Sequence, residues 1–188
     1  MNEIPGPSPR RILIIGASGS GKSTAAAAVA EKLGLPFIAT DSFYWLSDWR
    51  PAAQVEYGRL ADEATSQPRW VMDGNFDDLR AIVWARAELI VWLDFPTALV
   101  IRRVILRNTR WLISRTPTWS GNRMDLARAI SGIRHACRSI AGKRRNYPAY
   151  LSEFPSKPAL RFTNPRDLAK WIDGLASRAD ASIGYNRP

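Results

Sequence analysis

Histidine and cysteine are nearly absent from this chain: each occurs once in 188 residues, as His135 and Cys137. A single cysteine forbids an intrachain disulfide and fits a reducing compartment. One cysteine and one histidine cannot supply the four nitrogen or sulfur ligands of a tetrahedral zinc site. Serine–histidine–aspartate chemistry would rest on His135 alone. No apolar run approaches the ~20 residues that a membrane-spanning helix needs. The opening Met-Asn-Glu-Ile-Pro-Gly-Pro-Ser-Pro has an acid and three prolines where a signal peptide would have a basic end and an apolar stretch. These absences predict a cytoplasmic protein with a flexible tail over 1–9 and no membrane among its partners.

Acid is scarce in one stretch. Between Arg102 and Arg145 there are twelve Lys or Arg and one acid, Asp125, although the whole chain carries only +10. A basic segment on an otherwise near-neutral body implies an anionic partner. Nearly all of these bases are Arg, which grips phosphate in a two-pronged fork that Lys cannot reproduce.

Hydrophobic residues make up 46% and charged residues 23%, as in a folded globular chain. One domain is expected over 10–178, followed by a second tail over 179–188. Short apolar runs alternate with helical patterns. Strands are predicted at Arg11–Ile15, Leu35–Ala39, Trp70–Met72, Leu89–Leu93 and Ala159–Phe162. Helices are predicted at Lys22–Leu33, Pro51–Ala64, Thr97–Ile113, Met124–Arg145 and Pro165–Ala176, with a loop over Thr116–Asn122. This alternation predicts an α/β fold, a parallel sheet with helices on both faces. Ligands in such sheets bind at the carboxyl ends of the strands. Gly16, Asp41, Asp73 and Asp94 all fall just after strands, so the chemistry is expected on one edge.

Gly16-Ala17-Ser18-Gly19-Ser20-Gly21-Lys22-Ser23 matches G-x-x-x-x-G-K-[ST] in full, between an apolar strand and a helix. Glycines let the backbone curl until its N–H groups point into one concavity, and the helix N-terminus adds positive potential there. Lys22 would reach the outer phosphates of a nucleoside triphosphate, and the Ser23 hydroxyl would bind Mg²⁺. The expected nucleotide-binding stretch runs from Gly16 through Thr24. Asp73 is the best candidate for the acid that Mg²⁺ on a triphosphate needs nearby. Asp41 is placed to orient or deprotonate an acceptor hydroxyl, or to touch the metal. Asp94 reads equally well as an acid at a helix start, and Asp77-Asp78 reads as a helix-start signal. Asn164-Pro165-Arg166-Asp167 reads as a helix cap, although a loop after the last strand also suits Asn164 to lie beside a nucleotide base. Trp45 and Trp49 would either stack on a planar acceptor or pack in the core.

The phosphate loop, Thr40-Asp41-Ser-Phe-Tyr-Trp45, Trp70-Val-Met-Asp-Gly-Asn75, Ala85-Arg-Ala87 and Val91-Trp-Leu-Asp-Phe-Pro96, followed by Arg102, Arg103 and Arg107, together resemble the adenylate-kinase-like P-loop proteins. Within them the resemblance is to the FlaR-like small kinases, also called DNA topology modulation proteins, and it spans roughly 10–176. It implies a nucleoside-monophosphate-kinase fold of five parallel strands ordered 2-3-1-4-5. It also implies ATP, Mg²⁺ and phosphoryl transfer, with a basic helical lid over about 107–145. Arg103 and Arg107 match the start of that lid and would act with Lys22 and Asp41 as catalytic groups. The acceptor would be a small molecule of nucleoside or nucleotide kind. The alternative is an ATP-binding or ATP-hydrolysing protein that binds nucleic acid through 102–145.

Overall fold

The computed structural model describes residues 8–75 and 77–183, and within them the side chains of all but 43, 119 and 176–183. Most of the two expected tails, 1–7 and 184–188, lies outside the described residues.

Five strands form one parallel sheet: β1 (Arg11–Gly16), β2 (Phe37–Ala39), β3 (Trp70–Asp73), β4 (Leu89–Leu93) and β5 (Ala159–Phe162). Their order is β2-β3-β1-β4-β5, as the resemblance implies. The helices are α1 (Lys22–Leu33), α2 (Asp41–Tyr44), α3 (Gln54–Ser66), α4 (Arg80–Arg86), α5 (Thr97–Ser114), α6 (Leu126–Ser152) and α7 (Pro165–Ile183).

The strands read as continuous apolar runs because both faces of the sheet are covered. Successive side chains alternate between the two faces. Ile12, Ile14, Val71, Val91 and Leu93 pack with Ala26 and Val29 of α1, Val100 of α5 and Leu168 and Ile172 of α7. Leu13, Ile15, Trp70, Met72, Ile90 and Trp92 pack with Ala61 of α3, Val83 and Trp84 of α4 and Tyr147 of α6. Three tryptophans thus serve the second face: Trp70 and Trp84 are fully buried and Trp92 almost so.

Three helical stretches depart from expectation. α4 adds a helix to the five whose bounds were expected, just after the start signal at Asp77-Asp78, and Val83 and Trp84 bury themselves against the sheet. α6 runs on to Ser152 rather than stopping near Arg145, with Pro148 inside it. Proline there removes one backbone donor. The helix continues because Tyr147, fully buried, meets Trp84 and Trp92 edge-on at 5.6 and 5.5 Å. α7 continues from Ala176 to Ile183, through a stretch with no Gly or Pro before Gly184. No described helix is long and apolar enough to cross a membrane.

The register decides what shares an edge. Ile14 lies opposite Asp73, Gly16 opposite Leu93 and Ala39 opposite Asp73. The carboxyl ends of four strands therefore bring Gly16, Thr40, Asp41, Asp73 and Asp94 to one rim.

Candidate active site

The loop from Gly16 to Ser23 leaves β1 and enters α1 with Gly16, Gly19 and Gly21 at φ of 151°, 82° and 94°. Side chains are excluded at Gly19 for two reasons. Its backbone is left-handed, and a Cβ there would fall 2.2 Å from a Val104 methyl of α5. The loop is thus pressed against α5, while Arg103, one residue before Val104, donates to the Ser20 carbonyl at 2.9 Å. On the other side, the Gly16 N–H donates to Asn75 Oδ1 at 3.1 Å. The same oxygen accepts from the Tyr147 hydroxyl at 2.7 Å, and the Asn75 carbonyl accepts from Trp84 Nε1 at 2.9 Å. α6 also reaches the loop directly, its Ser139 hydroxyl accepting from the Ser18 N–H at 3.4 Å.

Gly21 caps α1 with no side chain in the way, so the first turn directs its unpaired N–H groups to the mouth of the loop. Lys22 folds back and donates to the Ala17 carbonyl at 3.1 Å. Burial lowers its pKa despite the pull of Asp41 and Asp73. Burial raises that of Asp41, outweighing the nearby Lys22. Arg107 of α5 belongs to the same cluster: burial lowers its pKa against the pull of Asp41. Among the described residues its buried Nε has no hydrogen-bond partner, nor has the Ser20 hydroxyl inside the loop. Its guanidinium lies 4.9 Å from the Trp111 ring centre. Orphaned buried donors cost stability unless a partner satisfies them.

Asp73 is 3% exposed and held on both carboxylate oxygens. Oδ2 accepts from the Ser23 hydroxyl and Oδ1 from the Thr40 N–H at 2.9 Å, while the Thr40 hydroxyl donates to the Asp73 carbonyl. The pairing of Ser23 with Asp73 gives two adjacent oxygen donors, the set that suits Mg²⁺, an ion that keeps waters and phosphate oxygens in its remaining positions. The described residues contain no group of three or more His, Cys, Asp or Glu suited to a metal.

Other candidates take different places. Asp94 accepts from Arg144 Nε at 2.7 Å and from Arg161 Nε at 3.0 Å, tying the end of β4 to α6 and β5. Asp77 opens a single 3-10 turn before α4 and pairs with Lys143 of α6. Asn164 caps α7, its Oδ1 accepting from the Arg166 N–H at 2.8 Å. Trp45 and Trp49 meet edge-on at 5.7 Å, and Tyr44 packs on Tyr57 at 5.1 Å, forming an aromatic wall just after Asp41.

That wall is joined to the loop between α5 and α6. Asn122, 5% exposed, accepts from the Trp49 N–H at 2.9 Å and donates to the Leu46 carbonyl at 2.9 Å. Trp49 Nε1 donates to the Arg123 carbonyl at 3.1 Å, and the Ser120 hydroxyl donates to the Trp45 carbonyl. Asp48, Trp49 and Ser120 hold φ near +60° across this junction, a conformation costly for residues other than glycine.

A curled glycine loop between a central parallel strand and a helix, with Lys-Ser at its end and a buried aspartate on the adjacent strand, decides the architecture. The fold is that of a P-loop NTPase. Residues 12–94 match the family described as "ATPase family associated with various cellular activities (AAA)". The chain is 29% identical over 101 residues to the uncharacterized protein YqaC of Bacillus subtilis (strain 168), a match covering 50% of this chain and 54% of that one. It therefore spans about half the length of the curated relative it matches. Among solved structures it is similar to a gluconokinase from Sinorhizobium meliloti 1021, with a TM-score of 0.53, 18% identity and 94% of each chain covered. It is similar also to the shikimate kinase of Bacteroides thetaiotaomicron, with a TM-score of 0.55, 14% identity and 92% and 99% covered. A third is the shikimate kinase of Acinetobacter baumannii, solved with shikimate, with a TM-score of 0.54, 17% identity and 94% and 96% covered. At these identities the likeness concerns the fold.

Several functional side chains escape sequence reasoning. Asn75, Ser139 and Asn122 act through partners 59 to 121 residues away. The only signal for Asn75 is its place directly after Asp73-Gly74.

Proposed function

We propose that this chain is an Mg²⁺-dependent ATP kinase of the adenylate-kinase-like, FlaR-like kind, transferring the terminal phosphoryl group to a small hydroxylated acceptor of nucleoside or nucleotide type. The observation that carries the reading is the convergence of Lys22, Asp41, Arg107 and the Ser23–Asp73 pair on one rim of the sheet. Asp73 suffices for the metal, so the second carboxylate at Asp41 supports a role toward an acceptor hydroxyl.

Phosphoryl transfer needs little covalent help, so positioning and charge neutralisation account for most of the rate. The backbone from Gly16 to Thr24 cradles the phosphates. Lys22 leaves the Ala17 carbonyl for the outer phosphate oxygens, and Arg107 offers its unpartnered Nε to the same group. Arg103 braces the loop at Ser20 and adds positive charge beside it. Asn164, in the loop after β5, would lie beside the nucleotide base. Ser23 and Asp73 would hold Mg²⁺, which neutralises charge on the phosphates when bound. Asp41, whose raised pKa favours taking up a proton, accepts the proton of the acceptor hydroxyl. That oxygen forms a bond to the terminal phosphorus, the bond from phosphorus to the bridging oxygen breaks, and ADP leaves with its electron pair. The α5–α6 hairpin, tied over the site through Asn122, keeps water from competing as acceptor.

The test is ATP turnover by the purified protein with Mg²⁺, alone and with a panel of nucleosides, nucleotides and sugars. Slow turnover alone and at least a hundredfold acceleration by one class of acceptor is expected, with Lys22→Ala abolishing both. Acceleration by duplex DNA and by no small acceptor would replace this reading with the nucleic-acid one.

A further inference from the structure

We propose that the outer face of the α5–α6 hairpin docks on an anionic lipid bilayer. This rests on surface chemistry alone and is independent of the catalytic reading.

Among the described residues, the hairpin leaves several aliphatic side chains exposed. On α5, Ile105, Leu106 and Ile113 are 43%, 58% and 79% exposed; on α6, Leu126 and Ile130 are 66% and 46% exposed. Ile113 follows Ile105 and Leu106 by eight and seven residues, about two helical turns, which puts the α5 group on one side of the helix. Val100, Val104 and Asn108 occupy the opposite, buried face. The seam between the helices is fixed by Asn108, whose side chain donates to the Ala129 carbonyl at 3.1 Å. Counting about 100° per residue, the exposed stripe on each helix lies on the same rotational side of this seam. For two antiparallel helices that means the same face of the pair, so the stripes form one apolar surface.

The rim of that surface is predominantly cationic. Arg102 and Arg110 stand along α5, Arg134 along α6, and Arg115 and Arg123 at the turn between them, all exposed. None of the five makes an ion pair among the described residues, whereas the hairpin's one acid, Asp125, is already paired with Arg128. The occupant must therefore offer apolar contact at the centre and negative charge around it. A second copy of this chain would set one arginine rim against another. A nucleic acid would satisfy the arginines and leave Ile113 and Leu126 against a phosphate backbone. A bilayer with anionic headgroups meets both demands, with the aliphatic groups at the acyl boundary and guanidinium groups among the phosphates. The expectation that no membrane is a partner rested on the lack of a spanning run, and a hairpin lying flat on a bilayer needs none.

The experiment is vesicle flotation with the full chain at ~0.1 M salt, a Debye length of about 10 Å. Vesicles of phosphatidylcholine alone are compared with vesicles containing 30% phosphatidylserine. At least tenfold stronger binding to the anionic vesicles is expected. Ile113→Asp with Leu126→Asp, and separately Arg102→Glu with Arg110→Glu, should each lower it at least tenfold. These side chains are exposed, so the melting midpoint should not move. No flotation by the parent chain overturns the proposal. So does undiminished flotation of the folded aspartate variant, which would leave only unspecific attraction of a basic protein. A concentration-dependent dimer that the aspartate pair abolishes would assign the face to a second copy. Duplex DNA binding without vesicle binding, lost in the glutamate pair, would assign it to nucleic acid.

Discussion

Replacing Asn75 by alanine tests how the phosphate loop is held. One side-chain oxygen accepts from the Gly16 N–H at 3.1 Å and from the buried Tyr147 hydroxyl at 2.7 Å. Truncation leaves both donors, on the buried residues Gly16 and Tyr147, without this acceptor. Each orphaned donor costs about 1–3 kcal/mol, so the variant should lose roughly 2–6 kcal/mol. For a chain of this size each kcal/mol moves the melting midpoint by about 2–4 °C, so a drop of roughly 4–24 °C is expected. Tyr147→Phe removes only one donor and leaves the Gly16 bond in place, so it should cost no more than about 0.5–1.5 kcal/mol. Because the two side chains share one bond, their double variant should fall short of additivity by about 0.5–1.5 kcal/mol. Urea unfolding of parent, single and double variants gives the cycle. A loss below about 1 kcal/mol for Asn75→Ala, or strict additivity, would refute the claim that this amide ties the loop to α6.

Two further substitutions probe the rim. Asp41→Asn should abolish transfer while nucleotide binding, read by titration calorimetry, persists; equal loss of both would make Asp41 a structural group. Burial raises the Asp41 pKa above its usual 3.8, so the folded chain disfavours the ionised form, and this cost is removed as pH falls through the raised value. Asp41→Asn should therefore melt higher than the parent at pH 7, with the gap closing as pH approaches 4. A gap that stays constant with pH would contradict the assignment. Asn122→Ala removes both bonds to the 46–49 segment, each worth about 0.5–1.5 kcal/mol. Amide exchange over 45–50 and 118–123 should accelerate by about one order of magnitude or more, while exchange in β1 and β4 stays unchanged. Unaltered exchange in those two segments would mean that Asn122 does not hold them together.

The sheet was legible because its signals are local. Ile12–Ile15 and Leu89–Leu93 are uninterrupted apolar runs, each followed by a glycine or an acid, and the strand order is the one that the resemblance implies. The glycine loop was legible because its geometry dictates its residue types. Asp73 could be placed because it sits at a strand end beside that loop. Asn75 and Asn122 could not: an asparagine in a loop ordinarily signals a turn, and only the folded chain brings their distant partners within reach. Asp94 looked like an acid at a helix start, and its two arginines lie 50 and 67 residues further on. The length of α6 was hidden by Pro148, whose helix-breaking tendency is overcome by aromatic packing that has no local signature.

α5 touches the phosphate loop twice, through the Val104 methyl against Gly19 and through the Arg103 bond to Ser20. The same helix turns its far side to solvent. Of the outward-facing aliphatic groups, Ile113 stands on this same rod, so the phosphate cradle and part of the exposed apolar stripe are borne by one rigid element.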